Sequence, residues 1–189
     1  MAYYSQAELL KMGFKSLGNN VRISKLCSLD KSHQMAIGKN SRIDDFCALS
    51  GNISIGRNVH IAVHCSITAS RELAELEDFT GVAFSSHIFT SSDDYSGATM
   101  TNPTVPINFK SIQHGAVSLG RHVIVGSGTM IFPGVKIAEG CAIGALSIVN
   151  KSTEPWGIYF GAPARRIKDR SKKLLEFERL YLDESPDNE

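Results

Sequence analysis

The chain has 189 residues, of which 42% are hydrophobic, and this length suits one domain, residues 1–189, with a continuous core. Its 20 Lys and Arg residues against 19 Asp and Glu residues give a formal net charge of +1, so the overall charge gives no reason to expect nucleic acid or a membrane surface as partner. No run approaches the roughly 20 apolar residues of a membrane span, and the first residues lack the basic and apolar regions of a secretory signal. We therefore expect a cytoplasmic protein.

Residues 1–20 are expected to form a short helix and a cap for the rest of the domain. Ser5 and Glu8 form an S-x-x-E capping box ahead of Leu9, and Gly13 would end the helix. A helix in this position would cover the open strand edges at the start of a sheet.

An aliphatic residue returns at every sixth position in two stretches, which is the period of a parallel β-helix. The positions are Ile37, Ile43, Leu49, Ile55, Ile61 and Ile67, then Leu119, Val125, Ile131, Ile137, Ile143 and Val149. Small or β-branched residues usually follow four positions later, so both positions are predicted to point inward. The residue directly after each aliphatic is mostly small, as a sharp turn of the backbone would require. We predict an all-β fold with coils over residues 21–90 and 116–160.

Two interruptions break the period. After Ile67 the register is lost at residues 70–75 and resumes three residues out of phase at Leu76, which indicates a small insertion at a corner. Between residues 91 and 115 no hexad fits. Because structureless loops this long inside a compact fold are usually functional, residues 91–115 are predicted to be an active-site loop.

The C-terminal part, residues 161–189, contains a basic segment, GAPARRIKDR, and then a predicted helix over residues 171–182. The tail, residues 183–189, is expected to be disordered. Of the four cysteines, Cys47, Cys65 and Cys141 occupy inward hexad positions, and no CxxC spacing is present, so a structural role is favoured over redox or metal chemistry.

Taken together, the hexads, the long loop, GALSIVNK at 144–151 and GAPARR at 161–166 resemble the hexapeptide-repeat acyltransferases. The resemblance covers residues 21–170 and implies a left-handed β-helix, a homotrimer with sites between subunits, acetyl-CoA as cosubstrate and no metal. DDYSG at 93–97 and TNP at 102–104 look most like the nucleotide-sugar N-acetyltransferases of O-antigen and surface-polysaccharide biosynthesis, such as those acting on dTDP-4-amino-4,6-dideoxyglucose.

By match to that family's motifs, a set of residues near the C-terminal end would bind the coenzyme. The residues expected along the pantetheine arm are Ser127, Gly144, Ala145, Asn150 and Lys151. Arg165, Arg166 and Lys168 are expected to meet the phosphates through charge-assisted hydrogen bonds. The plainer interpretations are that corners need small residues and that a basic stretch before a helix is solvated.

Family members often use a loop histidine as the base, and the matching position here is Asp93. This departure from the family pattern favours an amine acceptor, because an amine loses its proton more easily than an alcohol and has less need of a histidine base. We expect Asp93 to act on the amine, with Asp94 beside it and His87 as the alternative base. Tyr95 and Asn102 would orient the sugar, and a Ser127 hydroxyl or a main-chain N–H would stabilise the oxyanion. Adjacent acidic residues are also common simply as turn formers.

Three other functions remain open from the sequence. The first is a sugar O-acetyltransferase, against which the absent loop histidine argues. The second is a metal enzyme similar to the γ-type carbonic anhydrases, whose histidine spacing this chain does not reproduce. The third is a non-catalytic β-helix, which would leave the long loop and the basic segment unexplained.

Overall fold

The computed structural model describes residues 2–184. Two helices, α1 (Gln6–Lys11) and α2 (Leu174–Glu184), flank a body of short strands, and 3-10 turns lie at Ser32–Gln34 and Ile107–Phe109. The strands are β1 (Ser16–Leu17), β2 (Arg22–Ile23), β3 (Ser28–Asp30), β4 (Ala36–Ile37), β5 (Arg42–Ile43), β6 (Ala48–Ile55), β7 (His60–Ile61), β8 (Ser66–Leu76), β9 (Gly81–Val82), β10 (His87–Phe89), β11 (Ser91–Asp93), β12 (Ile112–His114), β13 (Val117–Leu119), β14 (Ile124–Val125), β15 (Met130–Ile131), β16 (Lys136–Ile137), β17 (Ala142–Ile143), β18 (Ile148–Val149), β19 (Gly157–Gly161) and β20 (Ala164–Asp169).

The strands wind into a parallel β-helix with three faces, which confirms the predicted fold class. Face A consists of β1, β4, β13 and β16 with the second halves of β6 and β8. Face B consists of β2, β5, β7, β9, β14, β17 and β19, with β20 antiparallel at its end. Face C consists of β3, β10, β15 and β18 with the first halves of β6 and β8. Within face B, Arg42 pairs with His60 and Ile43 with Ile61, so residues eighteen apart lie in adjacent coils.

The inward positions predicted from the period form the core. Ile61, Ile131 and Ile137 are 0% exposed, and the partner position four residues later is also buried, as at Val123. Each such aliphatic side chain contributes about 1.5–3 kcal/mol of burial free energy. The four cysteines are buried and free, and burial raises the pKa of Cys27 to about 12, so its thiol is protonated at neutral pH.

Small residues stand at the corners, as predicted, but for a different physical reason. A Cβ added to Gly38 would lie 2.5 Å from the Gly56 carbonyl carbon, and one added to Gly126 would lie 2.4 Å from Ala145 N. The constraint is therefore the backbone of the next coil. The left-handed conformations lie two residues after the glycine, for example at Asn40, where φ is 61°.

The first interruption is an insertion inside β8. Gly51 pairs with Ala69 and Ile53 with Ala74, so a step of five residues in β8 faces a step of two in β6. The difference of three residues accounts for the shift of phase seen in the sequence. The corner that was predicted there runs as continuous strand.

The inserted loop, residues 91–115, begins and ends as the antiparallel hairpin β11–β12. At its base, Gly115 N donates to Thr90 O at 3.0 Å.

Near the C-terminus, residues 157–169 form the hairpin β19–β20. The last helix runs from Leu174 to Glu184, slightly later than the predicted 171–182. The predicted disordered tail begins at Asp183, which is still helical, and its remainder, 185–189, lies outside the described residues. The N-terminal helix agrees with its prediction, since Ser5 and Glu8 form the capping box and Leu9 is fully buried. Within residues 2–184, no helix has the length and apolar character needed to cross a bilayer.

Candidate functional site

A basic cavity of about 260 Å³ lies at the C-terminal end of the β-helix, beside the β19–β20 hairpin. Of the residues predicted to bind the coenzyme, it brings together Lys151, Arg165 and Arg166. Asn150 is exposed next to Lys151, and Lys168 is exposed further along β20, opposite Ile158. We call this space, with its three cationic side chains, the end cavity. It is suited to an anionic group.

Arg166 is the best anchored cation of the end cavity. Its Nη2 donates to Asp169 Oδ1 at 2.8 Å, and its guanidinium carbon lies 5.9 Å from the centre of the Tyr159 ring. The hydrogen bond with the Asp169 carboxylate raises the pKa of Arg166. Arg165 donates to the neighbouring Ala164 O at 3.0 Å. Since guanidinium groups match phosphate oxygens in geometry, these side chains fit a phosphate-bearing ligand.

Gly144, Ala145 and Ser127 lie at the corner between faces B and C, one coil apart. Both main-chain groups of Gly144 are already bonded within the coils, since its N–H donates to Tyr159 O at 2.8 Å and its carbonyl accepts from Ser147 Oγ at 2.7 Å. A Cβ at Gly144 would lie 2.2 Å from the Phe160 ring in its present position, so the small residue leaves room for that ring. Ala145, exposed on the same corner, is better placed to meet a ligand.

His87 lies on β10 of face C with its side chain half-buried. Its Nδ1 is 2.7 Å from Ser66 Oγ, on the adjacent strand β8. This contact orients the ring through Nδ1. Ser66 was not singled out from the sequence, although it precedes Ile67 on the outward side of the preceding coil.

The inserted loop presents Asp93 at the end of β11, in a cavity of about 180 Å³ lined by Ser91, Ser92, Asp93, Pro103, Lys110 and Ile112. Asp93 Oδ2 accepts a hydrogen bond from Asn102 N at 3.1 Å, and Lys110 Nζ donates to Asn102 O at 2.7 Å. Asn102 therefore contributes its main chain to the geometry around Asp93, while its side-chain oxygen accepts from Thr104 Oγ1 at 2.6 Å.

Asp94 has a different environment from Asp93. Its two carboxylate oxygens accept from Ser96 N at 2.8 Å and from Thr99 N at 3.1 Å. These hydrogen bonds, led by those from Ser96, lower the pKa of Asp94 to about 2. The carboxylate thus organises the loop. Tyr95 next to it is 91% exposed. The roles predicted for Asp94 and Tyr95 on a sugar stay predictions.

A polar cluster on face B was not recognised from the sequence. Asp44 is almost fully buried, its side chain being 3% exposed; it forms an ion pair with Arg42, and its Oδ2 lies 2.8 Å from His60 Nε2. A neighbouring groove of about 450 Å³ lies between face B and α2, where Glu178 binds His122 at 2.9 Å and Phe79 stacks on His122. His122 is therefore buried beneath the helix.

Large apolar side chains are exposed along the corner between faces B and C. The members of this corner stripe are Leu26 (55% exposed), Phe46 (54%), Phe84 (58%) and Leu146 (77%). Several large apolar side chains exposed along one corner suit the docking of another molecule. Among residues 2–184, no group of three or more His, Cys, Asp or Glu side chains is arranged to hold a metal ion.

No family model matches the chain. Over 184 residues it is 42% identical to a dTDP-4-amino-4,6-dideoxy-D-glucose acyltransferase of Escherichia coli, a match that covers 96% of this chain and 95% of that relative. Among solved structures, the chain is similar to a serine-to-alanine variant of AntD, an N-acyltransferase from Bacillus cereus, in complex with dTDP-4-amino-4,6-dideoxyglucose and coenzyme A. The TM-score is 0.96 at 42% sequence identity, and the match covers 97% of this chain and 99% of the AntD chain. AntD with dTDP and 3-hydroxybutyryl-CoA gives a TM-score of 0.95 at 42% identity, covering 97% and 98%.

Proposed function

Because this chain belongs to the family of the dTDP-4-amino-4,6-dideoxyglucose acyltransferases, we propose that it transfers an acyl group from acyl-coenzyme A to the amine of that nucleotide-linked sugar. The observation that carries the proposal is the likeness, along nearly the whole chain, to AntD in complex with this sugar nucleotide and coenzyme A. The resemblance to acyltransferases noted in the sequence, and the coenzyme it implied, are confirmed at this level.

In the reaction, a C–N bond forms between the sugar amine and the acyl carbonyl carbon, and the C–S bond of the thioester breaks. An ammonium group loses one proton before attack and a second as the amide forms, and the departing thiolate takes up one of the two. Asp93 is the group we assign to the ammonium, since its carboxylate can bind the cation and accept a proton. His87 Nε2 is the alternative acceptor.

The coenzyme's phosphates are assigned to the end cavity, where Lys151, Arg165 and Arg166 meet. From there the pantetheine arm would follow the corner past Ala145 and Ser127 toward the coil that carries His87. The Ser127 hydroxyl can donate to the oxyanion that develops on the acyl carbonyl.

We propose acetyl as the acyl group. AntD has been crystallised with 3-hydroxybutyryl-CoA, so the donor is tested directly by competition between acetyl-CoA and 3-hydroxybutyryl-CoA for one acceptor. A kcat/KM ratio in favour of acetyl-CoA supports the proposal. A ratio in favour of the larger donor would replace acetyl without changing the acceptor.

A homotrimer is the proposed assembly, and the corner stripe supports it. Leu26, Phe46, Phe84 and Leu146 project from four of the coils along one corner, where a neighbouring subunit would cover them. A molar mass of three chains in light scattering is the expected result, and a monomer would contradict it.

The place of action is proposed to be the cytoplasm, where nucleotide-linked sugars for surface polysaccharides are made.

The experiment that tests the function is thiol release from acetyl-CoA with a matched pair of acceptors. One is dTDP-4-amino-4,6-dideoxyglucose, and the other carries a hydroxyl in place of the amine. Acetylation of the amine alone, verified by the product's mass, is the expected outcome. Acetylation of the hydroxyl would identify an O-acetyltransferase instead, and no thiol release with bound coenzyme would contradict both.

A further inference from the structure

Face B carries a column of cationic and polar side chains at its N-terminal end. Arg22 pairs in register with Arg42, and Arg42 pairs with His60, so the three lie on adjacent strands spaced by ~4.8 Å. Each stands at the outward position just before an inward isoleucine. Together with Asn40 and Asn58 they line a cavity of about 250 Å³. We call Arg22, Arg42 and His60 the face-B ladder.

A buried carboxylate holds two members of the ladder in place. Asp44 Oδ1 is 3.0 Å from Arg42 Nε, and His60 Nε2 lies 2.8 Å from both Asp44 Oδ2 and Arg42 Nη2. The Tyr3 hydroxyl lies 3.3 Å from Asp44 Oδ1. Because the side chain of Asp44 is 3% exposed and is in contact with Arg42, His60 and Tyr3, the cluster is a preorganised feature of the fold rather than a solvated surface pair.

The ladder is left with positive charge for a ligand. Asp44 offsets the charge of Arg42, whereas Arg22 forms no ion pair within residues 2–184, its guanidinium lying 5.9 Å from the Tyr3 ring centre. Asn40 Oδ1 accepts from Asn20 Nδ2 at 2.9 Å, so the Asn40 side chain can offer its amide N–H groups as donors. One free guanidinium, an amide and an imidazole around one cavity are donors that suit a diphosphate.

The face-B ladder and the end cavity lie at opposite ends of the β-helix, so each can bind a different anionic ligand. Along face B the order of strands is β2, β5, β7, β9, β14, β17 and β19. The coil that begins with β9 and carries His87 is three strand spacings, or ~14 Å, from β2 at one end and from β19 at the other. Acyl-CoA bears its phosphates far from its thioester, while a nucleotide-linked sugar bears its diphosphate directly on the sugar. Ligands anchored at the two basic sites could therefore both reach the level of that coil along the helix axis.

We propose that the diphosphate of the nucleotide-linked acceptor binds to the face-B ladder, Arg22, Arg42 and His60. The inference rests on the proposed function, because it takes the nucleotide acceptor from there. The ladder is one to three strands from the reacting coil, with His60 nearest, which leaves room for a hexose ring between the diphosphate and the acyl carbonyl.

The test is calorimetric titration of dTDP, and separately of coenzyme A, into the full-length protein and its variants. Arg22→Gln and His60→Gln are expected to raise the Kd for dTDP about tenfold or more each, since each removes a hydrogen bond to a charged group. Their Kd for coenzyme A is expected to stay within about twofold. Arg179→Gln, an exposed arginine on α2, is the matched control and should change neither value. Thermal unfolding verifies that each variant is folded.

The outcomes separate the inference from the function. If dTDP binds the wild type and both ladder variants equally, the ladder assignment is wrong while the function stands. If the variants lose coenzyme A instead, the ladder is a coenzyme site and the inference is overturned. If dTDP does not bind the wild type, both proposals fail. Pyrophosphate is expected to compete with dTDP and thymidine is not, because the ladder recognises the phosphates.

Discussion

The coils between β13 and β18 are held by buried aliphatic side chains, whereas the inserted loop is held by polar contacts among its own residues. Ile131 and Ile137 of the coils are 0% exposed. In the loop, Asp93 and Asp94 instead accept hydrogen bonds from main-chain N–H groups of Asn102, Ser96 and Thr99. Stability is therefore assigned to the inward positions of the coils, and the binding of the acceptor amine to the loop. Substitutions at inward coil positions should change unfolding, and substitutions of the loop carboxylates should change turnover.

The largest effect is expected at Asp93. Asp93→Asn keeps the shape of the side chain and removes its negative charge, so kcat should fall by about 10²–10⁴, as for the loss of a general base. That range corresponds to about 3–5 kcal/mol of transition-state stabilisation. Steady-state kinetics with acetyl-CoA and the amino sugar measure it, and the Kd for coenzyme A should be unchanged.

His87→Gln is the comparison that tells the two candidate bases apart. If His87 only lines the site, its variant should keep turnover within about tenfold of the wild type. A loss at His87 with none at Asp93 would reverse the assignment. If neither variant slows turnover more than tenfold, then neither Asp93 nor His87 is the base, and the amine must bind already deprotonated.

The next effect is on stability and comes from the coils. Ile137→Ala removes a fully buried side chain and should cost about 2–5 kcal/mol of unfolding free energy. Lys136→Ala, its exposed neighbour on the same strand, is the matched control and should stay within about 0.5 kcal/mol. Denaturant unfolding measures both. If the folded Ile137→Ala protein lost more than a few-fold in kcat, an inward coil residue would also control turnover, which would contradict this comparison of coils and loop.

A smaller effect is expected where α2 docks on face B. Glu178 binds His122 at 2.9 Å and also pairs with Arg121, and His122 and Glu178 are both about nine-tenths buried. Glu178→Gln should weaken the docking of the helix by about 1.5–3 kcal/mol. Hydrogen exchange should then quicken in α2 while the coils stay protected. Glu176→Gln, an exposed change on the same helix, should leave the exchange rates unaltered.

The sequence predicted the coils well because one inward position recurs every six residues and a buried side chain satisfies it each time. The same register also places Arg22, Arg42 and His60 side by side on face B, because each precedes an inward isoleucine. The contact of Glu178 with His122 was out of reach, because the packing of α2 follows no period and joins residues 56 apart. For the loop, the sequence identified the acidic residues but could not show that the Asp94 carboxylate accepts hydrogen bonds from Ser96 and Thr99.

The smallest effect distinguishes the two adjacent aspartates of the loop. Hydrogen bonds from Ser96 and Thr99 lower the pKa of Asp94 from 3.8 to about 2. A lowered pKa in the folded loop means that these bonds are complete above about pH 4 and are lost as the pH falls through about 2. The amide chemical shifts of Ser96 and Thr99 should therefore titrate with a midpoint near 2, and Asp94→Asn should abolish that titration. A midpoint near 3.8 would show that the carboxylate is free in solution, and Asp94 would then be available to the sugar amine together with Asp93.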